Sequence, residues 1–332
     1  MRRVVVKKTV KMVQACRLRL KPSAPFNFVA TAFKPSHYQS AIVFFENGKL
    51  YQTLRIGRSL FGIVLSDSGN DVNHPEVTLA VYARPGAKIS QQDKDEIVAE
   101  ITFRYNLGAD ISDFNRSFKA DKALSGPIKR LRGMRPSCAY SLYEFLMITT
   151  MLQNTVVKRS IAMTEALLND FGTRVSFAGK EICAVWEPKA IEKTTEEHLR
   201  ELRIGYRAKI VKRISQAFAE GEVDEPGLRR MDKEDAKKSL LSIYGVGPQS
   251  VWYLLFEYFH FYDALDHISP WEGKILSMLL FGNKLNPPEE TVDFLNAEYG
   301  PWRALAVHYL LEDVFWQRKE KTIPWLEEEI RN

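Results

Sequence analysis

The chain has 332 residues, of which 45% are hydrophobic and 27% are charged, and this composition excludes a disordered or fibrous protein. Its length corresponds to roughly two to three globular domains. Only three cysteines occur, far apart, at positions 16, 138 and 183, which excludes an iron–sulfur cluster held by four thiolates and a dense disulfide framework.

The formal net charge is +6, a modest excess that favours a polyanionic partner. Basic residues concentrate in 1–22, 129–135 and 207–213, although any one such run is also typical of a solvated helix face. The chain has no apolar run of about 18 residues, and its N-terminal valines alternate with lysine and arginine instead of forming a signal sequence. We therefore expect an intracellular protein (cytoplasm, nucleoid or nucleus) with no membrane partner.

The first quarter of the chain predicts an antiparallel sheet of about four or five strands. Segments rich in β-branched and aromatic residues, broken by turn signals, occur at 26–33, 40–56, 60–67 and 76–84. Asn47-Gly48 suits a tight hairpin turn because both residues accept positive φ angles. This part, 1–110, is predicted to be a β-rich domain.

From residue 90 onward the apolar residues recur with helical spacing. The predicted helices cover 90–107, two segments within 141–172 that end at Gly172, and then 195–219, 233–243, 248–260, 270–281, 289–298, 301–318 and 324–331. The predicted fold class is therefore α+β, with a β-rich N-terminal domain followed by an all-helical domain over 111–332.

Residues 236–260 contain two predicted helices joined by a Gly245-Val246-Gly247 turn. Pro248 opens the second helix, where its missing N–H is not needed. The amides of Gly247, Gln249 and Ser250 would then lie at a helix N-terminus, which favours an anion. A plain helical corner with a glycine cap is the alternative, and the turn alone does not decide between the two.

The segments around this turn identify a family resemblance. The segment YDALDHISPWEGKILSML places an acidic turn before a new helix, and the order of hairpin, loop and acidic residue resembles the helix-hairpin-helix DNA glycosylase superfamily. LRELRIGYRAKIVKRISQ (199–216) and the segment 132–172 are similar to further segments of its 8-oxoguanine and AlkA-type alkylbase branches. The N-terminal sheet is similar to the TBP-like domain of those branches, so the resemblance covers nearly the whole chain.

The resemblance implies a base excision repair enzyme that acts, as a monomer, on duplex DNA with a damaged base, flips a damaged purine out of the stack and removes it. Members that also cut the strand use a lysine two residues after the second hairpin glycine. That position is Gln249 here, so we expect a monofunctional N-glycosylase without AP-lyase activity. Lys238 and Lys274 are nearby amines, but each is expected to be a solvated helix residue. No organic cofactor is implied; a structural monovalent cation at the hairpin carbonyls fits the resemblance.

The catalytic carboxylate is open to three readings. The family places an Asp at the start of the helix after the hairpin, but here Ser269 holds that capping position, with Pro270 and Glu272 completing a capping box. In the preferred reading Asp266, three residues earlier, is catalytic. In the second, Glu272 or Asp263 supplies the carboxylate. In the third no acid reaches the sugar, and the protein recognises lesions without excising them.

The resemblance also proposes residues that face the flipped base: Gln153, Asn154, Trp186 and Trp271. The many aromatic residues of 252–262 are more typical of a core. An aromatic pocket attracts a cationic alkylated purine, whereas the segment around residue 205 fits 8-oxoguanine equally well. No spacing of His, Cys, Asp and Glu indicates a metal site.

Overall fold

The computed structural model describes residues 9–37, 40–69, 71–282 and 286–330. The first eight residues of the predicted basic N-terminal segment therefore lie outside the described residues. The strands are, in chain order, β1 (Val10–Lys11), β2 (Val13–Leu20), β3 (Val43–Glu46), β4 (Lys49–Ile56), β5 (Ser59–Asp67), β6 (Val77–Ala83), β7 (Thr173–Phe177) and β8 (Lys180–Ala184).

Five of these strands form the predicted antiparallel sheet, in the order β2-β6-β5-β4-β3. The β3–β4 turn is the predicted one, because Asn47 and Gly48 take φ angles of 50° and 70°. The prediction of a strand over 26–33 was wrong. Asn27 caps a short helix there instead, and its side chain accepts a hydrogen bond of 3.0 Å from the Ala30 amide.

The helices are α1 (Phe28–Ala32), α2 (Gln91–Arg104), α3 (Ser112–Phe118), α4 (Ser125–Leu131), α5 (Leu142–Leu152), α6 (Val157–Phe171), α7 (Pro188–Glu192), α8 (Glu196–Glu201), α9 (Arg207–Glu220), α10 (Glu225–Leu228), α11 (Lys233–Ser242), α12 (Pro248–Glu257), α13 (Pro270–Phe281), α14 (Pro288–Tyr299), α15 (Arg303–Glu320) and α16 (Pro324–Ile330). The predicted helix at 195–219 is divided into α8 and α9, since Arg203 and Gly205 both take positive φ angles. The other helix predictions agree with the observed elements, including the end of α6 at Gly172.

A strand pair that the sequence analysis did not predict interrupts the helical part. Strands β7 and β8 are antiparallel, and β1 pairs with β7 in parallel through Val10 and Val175. Ala178 and Gly179 form the connecting turn with φ angles of 49° and 77°. The α+β class and the helical body are confirmed, with this small sheet added to them.

Of the four hydrophobic clusters among the described residues, the two largest lie beneath the sheet and among the helices. The sheet core contains Leu54 and Leu79 and continues through Ile97 and Ile101 of α2. The helical core surrounds α5, α9, α12 and α15. Within the described ranges, none of the helices combines the length and apolar character needed to cross a bilayer.

A fully buried arginine ties the two parts together. Arg135 donates to the carbonyl oxygens of Asn106 and Leu107, which end the sheet domain, and to that of Pro25. These bonds fix the segment before α1. After α1, Lys34 donates to the carbonyl of Ser137 at 3.0 Å, and residues 34–37 lie against α12 and α15, where they help to form the site described below.

Candidate functional site

The α11–α12 hairpin exposes a helix N-terminus with unused amides. α12 begins at Pro248, and its capping residue Gly247 offers no side chain to the first turn. The amides of Gly247, Gln249 and Ser250 make no hydrogen bond to any other part of the chain that the structure describes. Because these N–H groups carry the positive end of the helix dipole, the turn is suited to an anion such as a phosphate.

The two glycines of the turn have different structural roles. Gly245 takes a φ of +89°, and a Cβ added there would lie 2.4 Å from Cγ2 of Ile210. Gly247 has a φ of −107°, and a Cβ added there would meet nothing within 4 Å. Gly245 is therefore required by backbone conformation and packing, whereas Gly247 leaves open space in front of the free amides.

The turn between α5 and α6 lies beside the hairpin. The Gln153 side chain donates to the carbonyl of Gly245 at 3.1 Å, and Asn154 follows it in an exposed position with a φ of 46°. Arg207 is buried and donates to the carbonyls of Thr150 and Gln153. The structure thus places Gln153 and Asn154 at the hairpin surface.

Two basic side chains lie over the ring of Tyr244, which directly precedes the glycine turn. Tyr244, the residue before Gly245, is 41% exposed. Lys209 and Arg213 of α9 lie over its ring, at 5.7 and 4.7 Å from the ring centroid. The N-terminus of α6 at Val157 also carries no side-chain cap. The surface therefore combines two open helix N-termini with positive charge.

A cavity of about 240 Å³ adjoins the hairpin. It lies between α12, the start of α13, α15 and the segment Ser36–His37. Its lining consists of Ser36, His37, Gln249, Trp252, Tyr253, Phe256, Glu257, Ala264, Leu265, His267, Trp271, Glu272, Ala304, Val307, His308, Leu311, Glu312 and Phe315. Gln249 belongs both to this lining and to the first turn of α12, so the cavity opens next to the anion site.

Aromatic rings form much of the cavity wall. Tyr253 and Trp271 are 37% and 40% exposed, which is unusual for rings of this size, and the Trp271 centroid lies 6.2 Å from that of Phe315. Trp186 lies elsewhere: its indole N–H donates to the hydroxyl of Tyr143 at 2.9 Å within the helical core. Of the residues predicted to face the base, the structure brings only Trp271 into this lining.

We call five side chains the polar floor: Ser36, Glu257, His308 and Glu312, which line the cavity, and Lys34, which pairs with Glu257 but does not line it. Lys34 Nζ lies 2.7 Å from Oε2 of Glu257, and both side chains are 5% exposed. His308 Nδ1 lies 3.6 Å from the other Glu257 oxygen. The Ser36 hydroxyl donates to Oε1 of Glu312. A buried ion pair and a second buried carboxylate thus lie side by side.

The ionisation of the polar floor follows from its burial. Burial alone would raise the pKa of Glu257, but the charge and hydrogen bond of Lys34 together with His308 and His37 outweigh it, and the net shift is downward. Burial, with Lys34, lowers the pKa of His308 to about 3, so this ring is neutral at pH 7. Burial raises the pKa of Glu312 to about 7, although Ser36 and Lys34 oppose the shift. Glu312 therefore changes charge near neutral pH.

The three candidates for the catalytic carboxylate, Asp266, Glu272 and Asp263, differ in their position relative to the cavity. Ser269 caps α13 as predicted, and the backbone amide of Ser269 donates to Oε2 of Glu272 at 2.9 Å; Glu272 lines the cavity. Asp266 is outside the lining, and its half-exposed carboxylate lies 3.3 Å from Nη2 of Arg303. Asp263 pairs with Lys233.

The cavity lining contains no lysine or arginine among the residues that the structure describes. Lys274 pairs with Glu329 at 3.3 Å, and Lys238 is exposed. No group of three or more His, Cys, Asp and Glu side chains in the described ranges could hold a metal ion. The carbonyls of Gly245 and Gly247 each accept one hydrogen bond, from Gln153 and Val251, which leaves each a second lone pair for a cation.

Sequence reasoning missed most of the polar floor. Glu257 and Glu312 are separated from Ser36 by more than 200 residues, so no local motif joins them. One signal was present: Glu257 is the single carboxylate of the apolar helical stretch LLFEYF, and Glu312 stands with Asp313 inside another, HYLLEDVF. A carboxylate at such a position is expected to be paired or functional, because an isolated buried charge is costly.

No protein-family model matches the chain. It is 23% identical over 271 residues to the DNA-3-methyladenine glycosylase of Bacillus subtilis, a match that covers 80% of this chain and 86% of that protein. The 3-methyladenine DNA glycosylase of Archaeoglobus fulgidus has a similar structure, with a TM-score of 0.73 at 15% identity over 90% of this chain and 99% of that one. A Clostridium acetobutylicum 8-oxoguanine glycosylase/lyase, solved with double-stranded DNA, gives a TM-score of 0.65 at 17% identity over 93% and 99%.

Proposed function

We propose that the chain is a helix-hairpin-helix DNA glycosylase of base excision repair that excises a damaged purine, alkylated or oxidised, from duplex DNA. The observation that carries this proposal is the continuity of two features: the open amides at the start of α12 and the cavity beside them share Gln249. One feature can hold the backbone while the other receives the base.

The hairpin is suited to holding a phosphate without reading sequence. The free amides of Gly247, Gln249 and Ser250 would donate to phosphate oxygens, and Lys209 and Arg213 nearby would add long-range attraction. Val246, between the glycines, is half-buried and helps to present the turn. A base must leave the stack before its glycosidic bond can be reached, and a held backbone fixes where it goes.

The cavity is large enough for a flipped purine. A cavity of about 150 Å³ holds benzene, and this one has about 240 Å³. Tyr253 and Trp271 offer exposed ring faces on which a base can stack. Gln153 and Asn154, at the hairpin surface, would contact the DNA around the gap that the flipped nucleotide leaves. Trp186, which was predicted to face the base, lies in the helical core beside Tyr143 instead.

The nucleophile is proposed to be water. Lyase chemistry needs an amine that can form a Schiff base, and the side-chain amide of Gln249 has no such lone pair. Borohydride reduction during turnover should therefore trap no covalent protein–DNA adduct. Gln249→Lys supplies an amine at the cavity and serves as the positive control for trapping. A trapped adduct with the unsubstituted protein would contradict the monofunctional mode.

A carboxylate must stabilise the oxocarbenium-like sugar as the base departs. Glu272 is the candidate that the geometry favours, because it lines the cavity and lies in the first turn of α13. Asp266, the residue predicted from the sequence, is the alternative; it would have to leave Arg303 to reach the sugar. Ser269 would position Glu272 through the capping box.

The decisive experiment is single-turnover excision from duplexes that carry 3-methyladenine, 7-methylguanine, 8-oxoguanine, hypoxanthine or uracil. We expect release of at least one purine, a loss of about 100-fold or more in Glu272→Gln, and a smaller loss in Asp266→Asn. The reverse order would assign catalysis to Asp266. Lesion binding without excision of any base would overturn the proposal and make the protein a recognition module.

The protein is proposed to act as a monomer without an organic cofactor. A monovalent cation held by the carbonyls of Gly245 and Gly247 would strengthen the phosphate contact. Exchange of potassium for a bulky organic cation at constant ionic strength should then weaken binding to all duplexes equally. Sedimentation in the presence of DNA tests the stoichiometry.

A further inference from the structure

The cavity is acidic although the chain as a whole is basic. The net charge of the protein is +6, yet the lining carries Glu257, Glu272 and Glu312, and no lysine or arginine among the described residues. An anionic cavity beside a cationic DNA surface does not help to hold the backbone. Its charge must therefore concern the molecule that enters the cavity.

The three carboxylates differ in the groups that compensate their negative charge. Glu257 is paired with Lys34 at 2.7 Å, and Glu272 accepts the Ser269 amide at a helix N-terminus. Glu312 forms no ion pair with any of the described residues, and Lys34, whose charge it feels, is paired with Glu257. Ser36 donates to Oε1, and Oε2 has no hydrogen-bond partner within the described part of the chain.

The groups that face Glu312 from the other elements do not supply the missing charge. α12 contributes Glu257 and the rim residue Tyr253, and the segment after α1 contributes Lys34, Ser36 and, at the rim, His37. Lys34 is already committed to Glu257. On its own helix, His308 is neutral and Asp313 is paired with Arg130. The floor thus lacks one positive charge whenever Glu312 is ionised.

We propose that Glu312 is a specificity-determining residue: its carboxylate makes the cavity select a purine that carries a positive charge, such as one alkylated on a ring nitrogen, over a neutral purine. The inference rests on the proposed glycosylase function and names the substrate class of that site. A cationic base completes the charge balance in a medium of low dielectric, where the attraction is strong. A neutral base leaves the carboxylate uncompensated, so the acid takes up a proton instead. The aromatic walls add to the preference through cation–π contact.

The test compares two duplexes of one sequence, one with 3-methyladenine, which stays cationic because it has no ring N–H to lose, and one with hypoxanthine, which is neutral. Single-turnover excision is measured for the wild type and for Glu312→Gln. The quantity compared is the rate on the cationic base divided by the rate on the neutral base. We expect the ratio to fall by about tenfold or more in Glu312→Gln, which is about 1.4 kcal/mol. Glu329→Gln, which removes a buried carboxylate outside the cavity, is the matched control and should leave the ratio unchanged.

The pH dependence separates this role from a structural one. In the wild type the ratio should rise as the pH increases from 5.5 to 8, because Glu312 ionises over this range. In Glu312→Gln the ratio should be independent of pH. Ser36→Ala, which removes the hydroxyl that stabilises the anion, should move the rise to higher pH; it keeps the proposal testable if Glu312→Gln does not fold.

Two results would overturn the proposal. One is an equal loss of excision rate on both substrates in Glu312→Gln, so that the ratio is unchanged. The other is a loss of rate on hypoxanthine alone, which would mean that Glu312 binds neutral bases by a hydrogen bond or donates a proton to them. If the wild type excises neither base, the glycosylase proposal fails by itself. The ratio of the dissociation constants for the two duplexes then tests Glu312 in the same way.

Discussion

Substitution of the two hairpin glycines should separate folding from DNA binding. Gly245→Ala forces a residue with a Cβ into a φ of +89°, which costs about 1–2 kcal/mol. Its Cβ would also lie 2.4 Å from Ile210 Cγ2, a methyl group on a β-branched, buried side chain that cannot easily move. Overpacking of this kind costs about 1–3 kcal/mol. The free energy of unfolding should therefore fall by about 2–5 kcal/mol.

Gly247→Asp should instead leave the folding stability intact and weaken DNA binding. Its φ of −107° and ψ of 173° suit any residue, and its Cβ enters open space. An Asp at this position is a favoured helix cap whose carboxylate would accept the amides of Gln249 and Ser250, so the stability should stay the same or rise by about 1 kcal/mol. The same bonds would block the phosphate. Loss of one charge-assisted contact, about 1.5–3 kcal/mol, lowers DNA affinity by roughly 10- to 150-fold.

The assays are urea unfolding and fluorescence polarisation with undamaged and lesion-containing duplexes over a range of salt concentrations. Gly247→Asp should weaken binding to all duplexes equally. It should also reduce the slope of log affinity against log salt concentration by about the amount expected for one phosphate contact. Gly247→Asn, which caps the helix without a charge, isolates the electrostatic part. If Gly247→Asp bound DNA like the wild type, or lost affinity only for lesions, the free amides would not be a phosphate site.

Three further predictions concern the polar floor and its surroundings. Lys34→Met should lower the free energy of unfolding by about 3–5 kcal/mol because Glu257 is left buried and uncompensated; the double variant Lys34→Met/Glu257→Met should recover most of this loss, and a loss that persists would contradict the pairing argument. Because the pKa of Glu312 is raised from 4.5 to about 7, its contribution to stability is full below pH 4.5 and is lost as the pH rises through 7. At about 1.4 kcal/mol per pKa unit the difference is on the order of 3 kcal/mol, so thermal unfolding between pH 5 and 8 should show a fall that Glu312→Gln lacks. Gln153→Ala removes the 3.1 Å bond to the Gly245 carbonyl and should reduce stability by about 1 kcal/mol and DNA affinity in polarisation assays, without altering the ratio of excised bases.

Local sequence signals were reliable where local chemistry decides the structure. The Asn47-Gly48 turn, the Ser269 capping box and the start of α12 at Pro248 all follow from the backbone preferences of a few adjacent residues. The strand predicted over 26–33 failed for the same kind of reason: the cap that Asn27 provides outweighed the strand preference of its aromatic neighbours.

The candidate site could be predicted only in part. The turn with its two glycines was visible in the sequence, but not that Gly245 is fixed by Ile210 while Gly247 is free. The spacing along the chain makes both Asp266 and Glu272 candidates for the catalytic carboxylate, but it does not show which of them lines the cavity. That distinction depends on Arg303, 37 residues later, which holds Asp266 at the rim.

The sequence by itself determined the α+β class, the order of hairpin, acidic turn and capped helix, and the absence of a lysine at position 249, because each depends on residue type and short spacing. Only the tertiary structure decided what the cavity contains. Lys34, Glu257 and Glu312 come from three distant segments and meet because the segment after α1 packs against α12 and α15. Charge balance in a buried site depends on distances between side chains, and these are set by packing rather than by any local pattern.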